Sequence, residues 1–369
     1  MKNYDIAAYI WPAYTGGEVR SKIFWPDGMG EWQTVKRDHK KPQYNYDWNR
    51  KPLWGYVDEA DPKVMEMQIK KAKEYGVNVF IYDWYWYDNR PFLENCLNNG
   101  FLKAENCNEM KFYIMWANHD AGYTWDYRLS SGDDVAVWQG KVSEEQFKII
   151  GKRWIDNYFT KENYYKIDNK PVISIYDLSN FVNGLGGIDK AIDNMNWLKA
   201  EAKRVGLNGV HFQIIKWGEQ PLNLSGVDGG AMALSPKVVK KMGFDSLTHY
   251  QFIHFTDLIT DYANIVEIAE EEWKKTAETF DIPYYPHVSI GWDNNIRFEA
   301  YKPHMYLDNT PAKFKVALEK AKAFSDENCN HPLITINSWN EWTENSYLEP
   351  DNLNGYGYLE AVKSVFKVE

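Results

Sequence analysis

The chain has 369 residues, a formal net charge of −10 and a hydrophobic fraction of 44%, which is enough apolar material for a sizeable core. The acidic residues are spread along the sequence, and this balance argues against nucleic acid or an anionic membrane as the main partner. No apolar run reaches membrane-spanning length, and the first residues lack the apolar core of a signal peptide. A cytoplasmic protein is therefore expected, unless a leader has been removed.

Short apolar runs alternate with longer amphipathic stretches along the whole chain. The predicted strands are Tyr4–Ile10, Val77–Tyr82, Lys111–Met115, Pro171–Ile175, Val210–Ile214, Ser246–Gln251, Tyr284–Ile290 and Leu333–Asn337. The predicted helices include Pro62–Tyr75, Glu144–Phe159, Ile188–Val205, Tyr262–Phe280, Pro311–Phe324 and Tyr356–Phe366. Eight strands that alternate with helices predict an α/β fold, a (β/α)8 TIM barrel with long loops after strands 1 and 3. No linker or repeat interrupts the pattern, so we predict a single domain over residues 1–369.

The residues that follow each predicted strand are the candidates for a functional site, because a TIM barrel places its active site at the C-terminal ends of its strands. Nearly every predicted strand end carries an aromatic or an ionisable side chain. The candidates for substrate contact are Tyr14, Asp83, Tyr85, Trp86, Trp116, Asn118, Tyr176, Trp217, Trp292, Asp293 and Asn340. Indoles and carboxylates around one mouth favour a saccharide cleft, and about half of the aromatic candidates are expected to touch substrate.

The aromatic content points the same way, with 17 Trp, 26 Tyr and 17 Phe. Tryptophan fits poorly into close-packed layers, whereas the flat C–H face of a sugar ring stacks well on an indole. The alternative interpretation is an aromatic-rich core, which accounts for part of the excess.

The most informative motif is Ile336–Glu344, which reads INSWNEWTE and follows the last predicted strand. It holds two carboxylates three residues apart, and an acid and a base within reach of one substrate atom are the minimum equipment for cleaving an acetal. An extended strand would point Glu341 and Glu344 to opposite faces. If both serve one site, the chain must leave extended geometry at Trp342-Thr343. The alternative is a solvated acidic turn.

This motif resembles the end of the WbsX-like proteins, a branch of the glycoside hydrolase family 99-like group. The resemblance continues, in order along the chain, at Tyr9–Tyr14, Gly30–Trp32, Trp116–Asn118, Gly291–Asn294 with Arg297, Tyr347–Asp351 and Gly355–Val362. It implies a (β/α)8 barrel and a retaining glycoside hydrolase that cleaves an α-mannosidic or related glycan. His119-Asp120 departs from the group's usual continuation after Asn118, so the identity of the sugar is the least transferable expectation.

The resemblance also implies a role for each glutamate. Glu344 would be the general acid that protonates the departing glycosidic oxygen, and Glu341 the base that takes a proton from the sugar's own 2-hydroxyl. That hydroxyl would attack the anomeric carbon, and water would open the transient epoxide with retention. Direct attack by Glu341 is the alternative and needs carboxyl groups about 5 Å apart. In either scheme we expect a raised pKa for the acid and an ionised base.

Two other functions stay open: a glycosyltransferase of polysaccharide assembly, which is how WbsX-like proteins are often labelled, and a non-catalytic glycan-binding barrel. The chain has no Asp-x-Asp motif for a metal-bound diphosphate and no Rossmann fingerprint, and a binding module has no need of both glutamates. Eight histidines without HxH or HExxH spacing predict no metal and no cofactor. Cys96, Cys107 and Cys329 are predicted to be free thiols. The predicted partner is an oligosaccharide or polysaccharide, and the oligomeric state stays open.

Overall fold

The computed structural model describes residues 3–126, 128, 135–217, 234–256 and 259–367. Eight parallel strands form its centre: β1 (Asp5–Ile10), β2 (Val79–Tyr87), β3 (Lys111–Trp116), β4 (Lys170–Ile175), β5 (His211–Ile215), β6 (Ser246–Thr248), β7 (His287–Ser289) and β8 (Leu333–Asn337). Their order in the sheet is β6-β5-β4-β3-β2-β1-β8-β7. Leu247 of β6 pairs in parallel with Tyr284, which precedes β7, and this bridge joins the two ends of the sheet. The predicted barrel is confirmed.

The α-helices lie between the strands and cover the barrel. They are α1 (Trp32–Val35), α2 (Pro62–Tyr75), α3 (Glu144–Trp154), α4 (Leu178–Gly184), α5 (Ile188–Arg204), α6 (Pro236–Met242), α7 (Tyr262–Thr279), α8 (Pro311–Asn328) and α9 (Gly357–Phe366). None of the helices in these described ranges is both long and apolar enough to cross a bilayer.

Helix α2 shows how local sequence sets an element and leads to the site. Asp61 accepts a hydrogen bond from the Lys63 N–H at the N-cap, and Gly76 ends the helix with a φ of 97°. Its buried face includes Gln68, a polar side chain in an otherwise apolar stripe. A buried amide needs partners, and those of Gln68 lie behind the candidate site.

Strand β2 runs five residues beyond its predicted end at Tyr82, and all nine of its residues are buried. The extension is stabilised by the short strand Arg90–Phe92, which folds back and pairs with it in antiparallel fashion. Asp88 and Asn89, with φ near 55° and 58°, make the turn between them. Asp83 still pairs with Met115 of β3 within the barrel sheet, and Tyr85 lies just beyond that pairing, so the extension brings both residues to the mouth of the barrel.

Three further pairs of short strands in the described residues form separate two-stranded sheets: Ala121–Gly122 with Ala136–Trp138, Ile259–Asp261 with Met305–Leu307, and Asn340–Glu341 with Ser346–Tyr347. Lys166–Ile167 pairs with β4. The three cysteines are free thiols, as predicted. Part of the long loop after β3 lies outside the described residues, and the single domain over residues 1–369 stays a prediction.

Candidate active site

The predicted break in extended geometry lies just after β8. Residues Asn340–Glu341 pair with Ser346–Tyr347, and between them Trp342–Glu344 forms a single 3-10 turn. Asn345 then takes a left-handed conformation, with a φ of 54°, and reverses the chain. This confirms that the motif leaves extended geometry at Trp342-Thr343, and it allows the two glutamates to face the same way. We refer to residues 340–347 as the glutamate hairpin.

Arg297 brings the two glutamates together. Its Nη2 lies 2.7 Å from Oε1 of Glu341, and its Nη1 lies 2.7 Å from Oε1 of Glu344. Its Nε lies 3.2 Å from Oε1 of a third carboxylate, that of Glu31. A planar guanidinium suits this task because its N–H groups point in fixed directions. The carboxyl groups of the motif therefore share one cation on one face.

Glu31 is fully buried and is held from its other side. The indole N–H of Trp11 and the hydroxyl of Thr343 both donate to its Oε2, at 2.5 and 3.0 Å. Its backbone N–H donates to the carbonyl of Ala13. Glu31 thus orients Arg297, which in turn orients the two glutamates.

Gly30 makes this close approach possible, and the Gly30→Ala variant should be strongly destabilised. Its φ is +61°, and an added Cβ would lie 1.8 Å from the Ala13 carbonyl oxygen. We expect the free energy of unfolding in urea to fall by roughly 2–4 kcal/mol. Gly17→Ala is the matched control, because its φ is +82° with no atom within 4 Å of the added Cβ, and it should cost about 1 kcal/mol. Equal losses in the two variants would contradict the steric argument.

A cavity of about 440 Å³ opens at the mouth of the barrel in front of the glutamate hairpin. Polar and aromatic side chains from most of the barrel strands and their loops surround it. Its lining consists of Trp11, Asp83, Tyr85, Met115, Ala117, His119, Asp120, Gly122, Thr124, Trp125, Tyr176, Asp177, Asn180, Trp217, Tyr250, Arg297, Glu341 and Glu344. The volume and the mixture of flat faces with hydrogen-bonding groups suit a small polar ligand with ring-shaped parts.

Burial shifts the ionisation of the paired glutamates. It raises the pKa of Glu341 well above the usual range, and the Glu344 carboxylate adds to the rise. Burial also raises the pKa of Glu344, although the Arg297 guanidinium opposes that rise. The expected contrast between a raised acid and an ionised base is not found, because both carboxyl groups are buried and share one cation. We expect the pair to titrate as a unit and to keep one proton to higher pH than a free glutamic acid would.

The sequence matches the family described as Glycosyltransferase WbsX over residues 6–362. The chain belongs to this family. Two relatives, both named Uncharacterized protein WxcX and found in two strains of Xanthomonas campestris pv. campestris, are 25% identical to it over 348 residues. Each alignment covers 92% of this chain and 46% of the relative, so the chain spans about half the length of the curated relatives it matches.

Solved structures of glycoside hydrolases share the fold of this WbsX-family chain. One, described as a glycoside hydrolase-like protein, has a TM-score of 0.63 and 14% identity, with 100% of this chain and 95% of the other covered. The GH99 endo-alpha-mannosidase from Bacteroides thetaiotaomicron has a TM-score of 0.57 and 14% identity, with 97% and 95% covered. At such identities the likeness shows the fold alone.

The structure brings six of the predicted site residues of the WbsX-family chain to the cavity: Asp83, Tyr85, Tyr176, Trp217, Glu341 and Glu344. Asp83 and Tyr85 reach it from the extension of β2. Trp217 follows β5 and stacks on His254, with ring centroids 4.3 Å apart and planes nearly parallel. The other predicted contacts are not among the described residues that line the cavity.

Three of these others are aromatic residues packed behind the cavity wall. The Tyr14 ring is fully buried, 4.1 Å from the Trp32 ring. Trp116 packs outward against Trp154, with centroids 5.5 Å apart. Trp86 stacks on the neighbouring indole of β2 and also faces the helices. Their positions give them a packing role.

The remaining polar candidates order the rim. The Asn118 side chain bridges the backbone of Asp177, donating to its carbonyl at 2.7 Å and accepting from its N–H at 2.8 Å. Asp293 accepts from the Asn295 backbone N–H and so fixes the start of the turn that ends at Arg297. Trp292 is partly buried outside the cavity lining. These residues hold the loops that carry the cavity wall.

Asn340, the last candidate, belongs to a buried network behind the glutamate hairpin. Its side-chain amide donates to both carboxylate oxygens of Glu59, at 3.0 and 2.9 Å. The Gln68 amide donates to Glu59 at 3.2 Å and to Glu349 at 2.8 Å. Glu349 in turn accepts from the indole N–H of Trp342 at 2.6 Å. The residues on either side of Glu341 are thus anchored away from the cavity.

Glu59 should make the stability of the protein depend on pH. Burial raises its pKa to about 7, against about 4.3 in an unfolded chain. Its favourable contribution is therefore present below pH 4.3 and is lost as pH rises through 7. Relative to the Glu59→Gln variant, the wild type should lose roughly 3 kcal/mol of unfolding free energy between pH 4 and 8, measured in urea. Glu105→Gln, at an exposed position, is the control, and parallel profiles for all three proteins would contradict the shift.

Several cavity and network residues were not predicted as site residues, among them Trp125, Asp120, Tyr250 and Glu59. Trp125 comes from the long loop after β3 and packs 5.3 Å from Trp11. Tyr250 follows β6 and donates to Asp83 at 2.9 Å. Tyr250 could have been identified from its position in the sequence, because it lies two residues past Thr248, where β6 ends.

Proposed function

We propose that the chain is a retaining glycoside hydrolase that cleaves an α-linked glycan, α-mannosidic or related, through Glu341 and Glu344. The observation that carries the proposal is the binding of both carboxyl groups to one guanidinium, that of Arg297, on the wall of an aromatic-lined cavity. Paired carboxyl groups at a sugar-sized cavity are the requirement for acid–base cleavage of an acetal.

Glu344 is suited to the acid's role. Its side chain is 13% exposed, burial raises its pKa, and no described protein group donates to its Oε2. A carboxyl group that keeps its proton near neutral pH can deliver it to the departing glycosidic oxygen. Arg297 then stabilises the carboxylate that remains.

Glu341 is suited to the base's role because its position is fixed on several sides. Its backbone N–H donates to the hydroxyl of Ser338 at 2.7 Å, and its carboxylate is bound by Arg297. In the proposed scheme it takes the proton of the sugar's 2-hydroxyl as that oxygen attacks the anomeric carbon, and water then opens the epoxide. Direct attack by Glu341 gives the same retained product.

The cavity gives less support to a glycosyltransferase that uses a sugar nucleotide. Among its described lining residues, Arg297 is the single lysine or arginine, and its guanidinium binds three carboxylates. A diphosphate needs cationic or N–H partners that this described lining does not offer, and it would meet the carboxyl oxygens of Asp83 and Glu344 instead.

Digestion of a defined glycan library by the pure protein, with products identified by mass spectrometry, tests the proposal. We expect cleavage of α-linked oligosaccharides, with α-mannosides among the substrates. Glu105→Gln, an exposed and distant change, should cleave equally well. Transfer of sugar from a nucleotide donor, with every glycan in the library left intact, would contradict the proposal.

A further inference from the structure

Asp83 presents an acceptor that the protein leaves unsatisfied. Its side chain is 3% exposed and lines the cavity. Tyr250 donates to Oδ2 at 2.9 Å, but no described group donates to Oδ1. A buried oxygen without a donor costs free energy, so a ligand that brings a donor to it gains affinity.

Glu344 presents a second such acceptor to the same cavity, its Oε2. Burial raises the pKa of Asp83 well above its usual range, and the Glu344 carboxylate adds to that rise. A cation bound beside the two groups therefore favours the ionised form of both, in which their oxygens accept hydrogen bonds. A hydroxyl group has one proton to donate, whereas a protonated amine has three and carries a positive charge. An ammonium group can therefore donate hydrogen bonds to both oxygens at once, whereas a hydroxyl can donate to one of them.

Two more acidic residues, Asp120 and Asp177, line the same cavity. Asp120 accepts from the Gly140 N–H at 2.8 Å, and Asp177 caps α4 by accepting from the Asn180 N–H at 2.8 Å. These hydrogen bonds come from neutral groups and leave the negative charge uncompensated. Burial raises the pKa of Asp177, as expected for a carboxylate without a cation partner.

We propose that the cavity selects an amino sugar over the neutral sugar of the same ring, and the neutral sugar over the uronic acid. Asp83 is the selecting residue, with its free oxygen directed to a sugar ammonium group. The inference rests on the proposed function in one respect, namely that this cavity binds the sugar. It goes beyond that function by stating which charge the bound ring carries.

The test measures binding rather than turnover, with two matched series of monosaccharides. The first is D-mannosamine, D-mannose and D-mannuronic acid, and the second is the corresponding set with gluco configuration. Ligand-observed NMR titrations at pH 7 give the dissociation constants. In at least one series we expect the amino sugar to bind about tenfold more tightly than the neutral sugar, and the uronic acid about tenfold less tightly.

The Asp83→Asn variant separates the role of Asp83 from that of shape. Asparagine has the same outline and can still accept from Tyr250, so the fold should persist, as circular dichroism will show. We expect the preference for the amino sugar to shrink about tenfold. Asp88→Asn is the matched control, because Asp88 is exposed at the end of β2 and its positive φ also suits asparagine. It should leave the preference unchanged.

A neutral sugar that binds as tightly as its amino counterpart in both series would overturn the inference. So would an unchanged preference in Asp83→Asn, or the failure of all six sugars to bind. The proposed function fails separately: it falls if no glycan is cleaved, even when the amino sugars bind as expected. Conversely, if glycans are cleaved in a Glu344-dependent way but the sugars bind without a charge preference, the proposed function stands and only this inference is wrong.

Discussion

Glu344→Ala and Glu341→Gln should each reduce turnover of an α-linked oligosaccharide by roughly 10²–10⁴-fold, the range that positioned acid–base groups contribute. Both variants should fold, because Glu341→Gln keeps the shape of the side chain and Glu344 lies partly open to the cavity. Initial rates with purified variants, checked for folding by thermal melts, give the measurement. Wild-type turnover in both would remove the assignment of this site.

Substrates with different leaving groups distinguish the role of Glu344 as acid from that of Glu341 as base. A nitrophenolate departs without a proton, so Glu344→Ala should lose far less activity on a nitrophenyl glycoside than on an oligosaccharide. Glu341→Gln should be equally slow on both, since the base is needed whichever group leaves. The opposite pattern would exchange the roles of the two glutamates.

Arg297→Met should lower the free energy of unfolding by roughly 3–5 kcal/mol at pH 7, the usual cost of removing one partner from a buried ionic cluster. Its guanidinium is the cation between Glu31, Glu341 and Glu344, and those carboxyl groups would repel one another without it. Lysine should not rescue the loss, because a single ammonium cannot reproduce three fixed N–H directions. Urea unfolding gives the measurement.

The pH dependence of that loss is a second readout. Arg297 lowers the pKa of both Glu341 and Glu344 relative to burial alone. Its contribution is therefore present where they are ionised and fades as pH falls and they are protonated. Arg204→Met is the control, since that side chain is 74% exposed and its ion pair among the described residues is with Glu201 in its own helix. It should cost under about 1 kcal/mol. A loss for Arg297→Met as small as this control would contradict the account.

Much of the fold could be predicted because the deciding signals are local. Helix α2 has its predicted bounds, Pro62–Tyr75, where a capping aspartate, a first-turn proline and a terminal glycine mark the ends. Strand β8 also has its predicted bounds, Leu333–Asn337. The extension of β2 was not predicted because Tyr85–Tyr87 pair with Arg90–Phe92, and the residues of β2 alone do not indicate that contact.

The site was harder to predict because a strand end specifies a position but not a direction. In β2 the side chains alternate, so Asp83 and Tyr85 face the cavity while Trp86 faces the helices. Trp116 likewise points outward, beside Met115, which lines the cavity. If a strand is assumed to lie one residue out of register, the side chains that face the cavity and those that face the helices are exchanged.

The electrostatics of the site depend on long-range contacts. Glu31 and Arg297 are 266 residues apart in sequence, and neither lies at a predicted strand end. The resemblance to WbsX-like proteins marked both segments but did not indicate that one guanidinium joins three carboxylates. The rise in the pKa of Glu341 could not be predicted for the same reason, since the burial of Glu341 follows from the assembled barrel.

The most direct test of the paired-glutamate account is digestion of an α-linked oligosaccharide in oxygen-18 water, followed by mass spectrometry of the fragments. The account predicts one oxygen-18 atom at each new reducing end with the wild type, and hardly any labelled fragment with Glu341→Gln or Glu344→Ala. Intact substrate with the wild type, or as much labelled fragment with both variants as with the wild type, would contradict it.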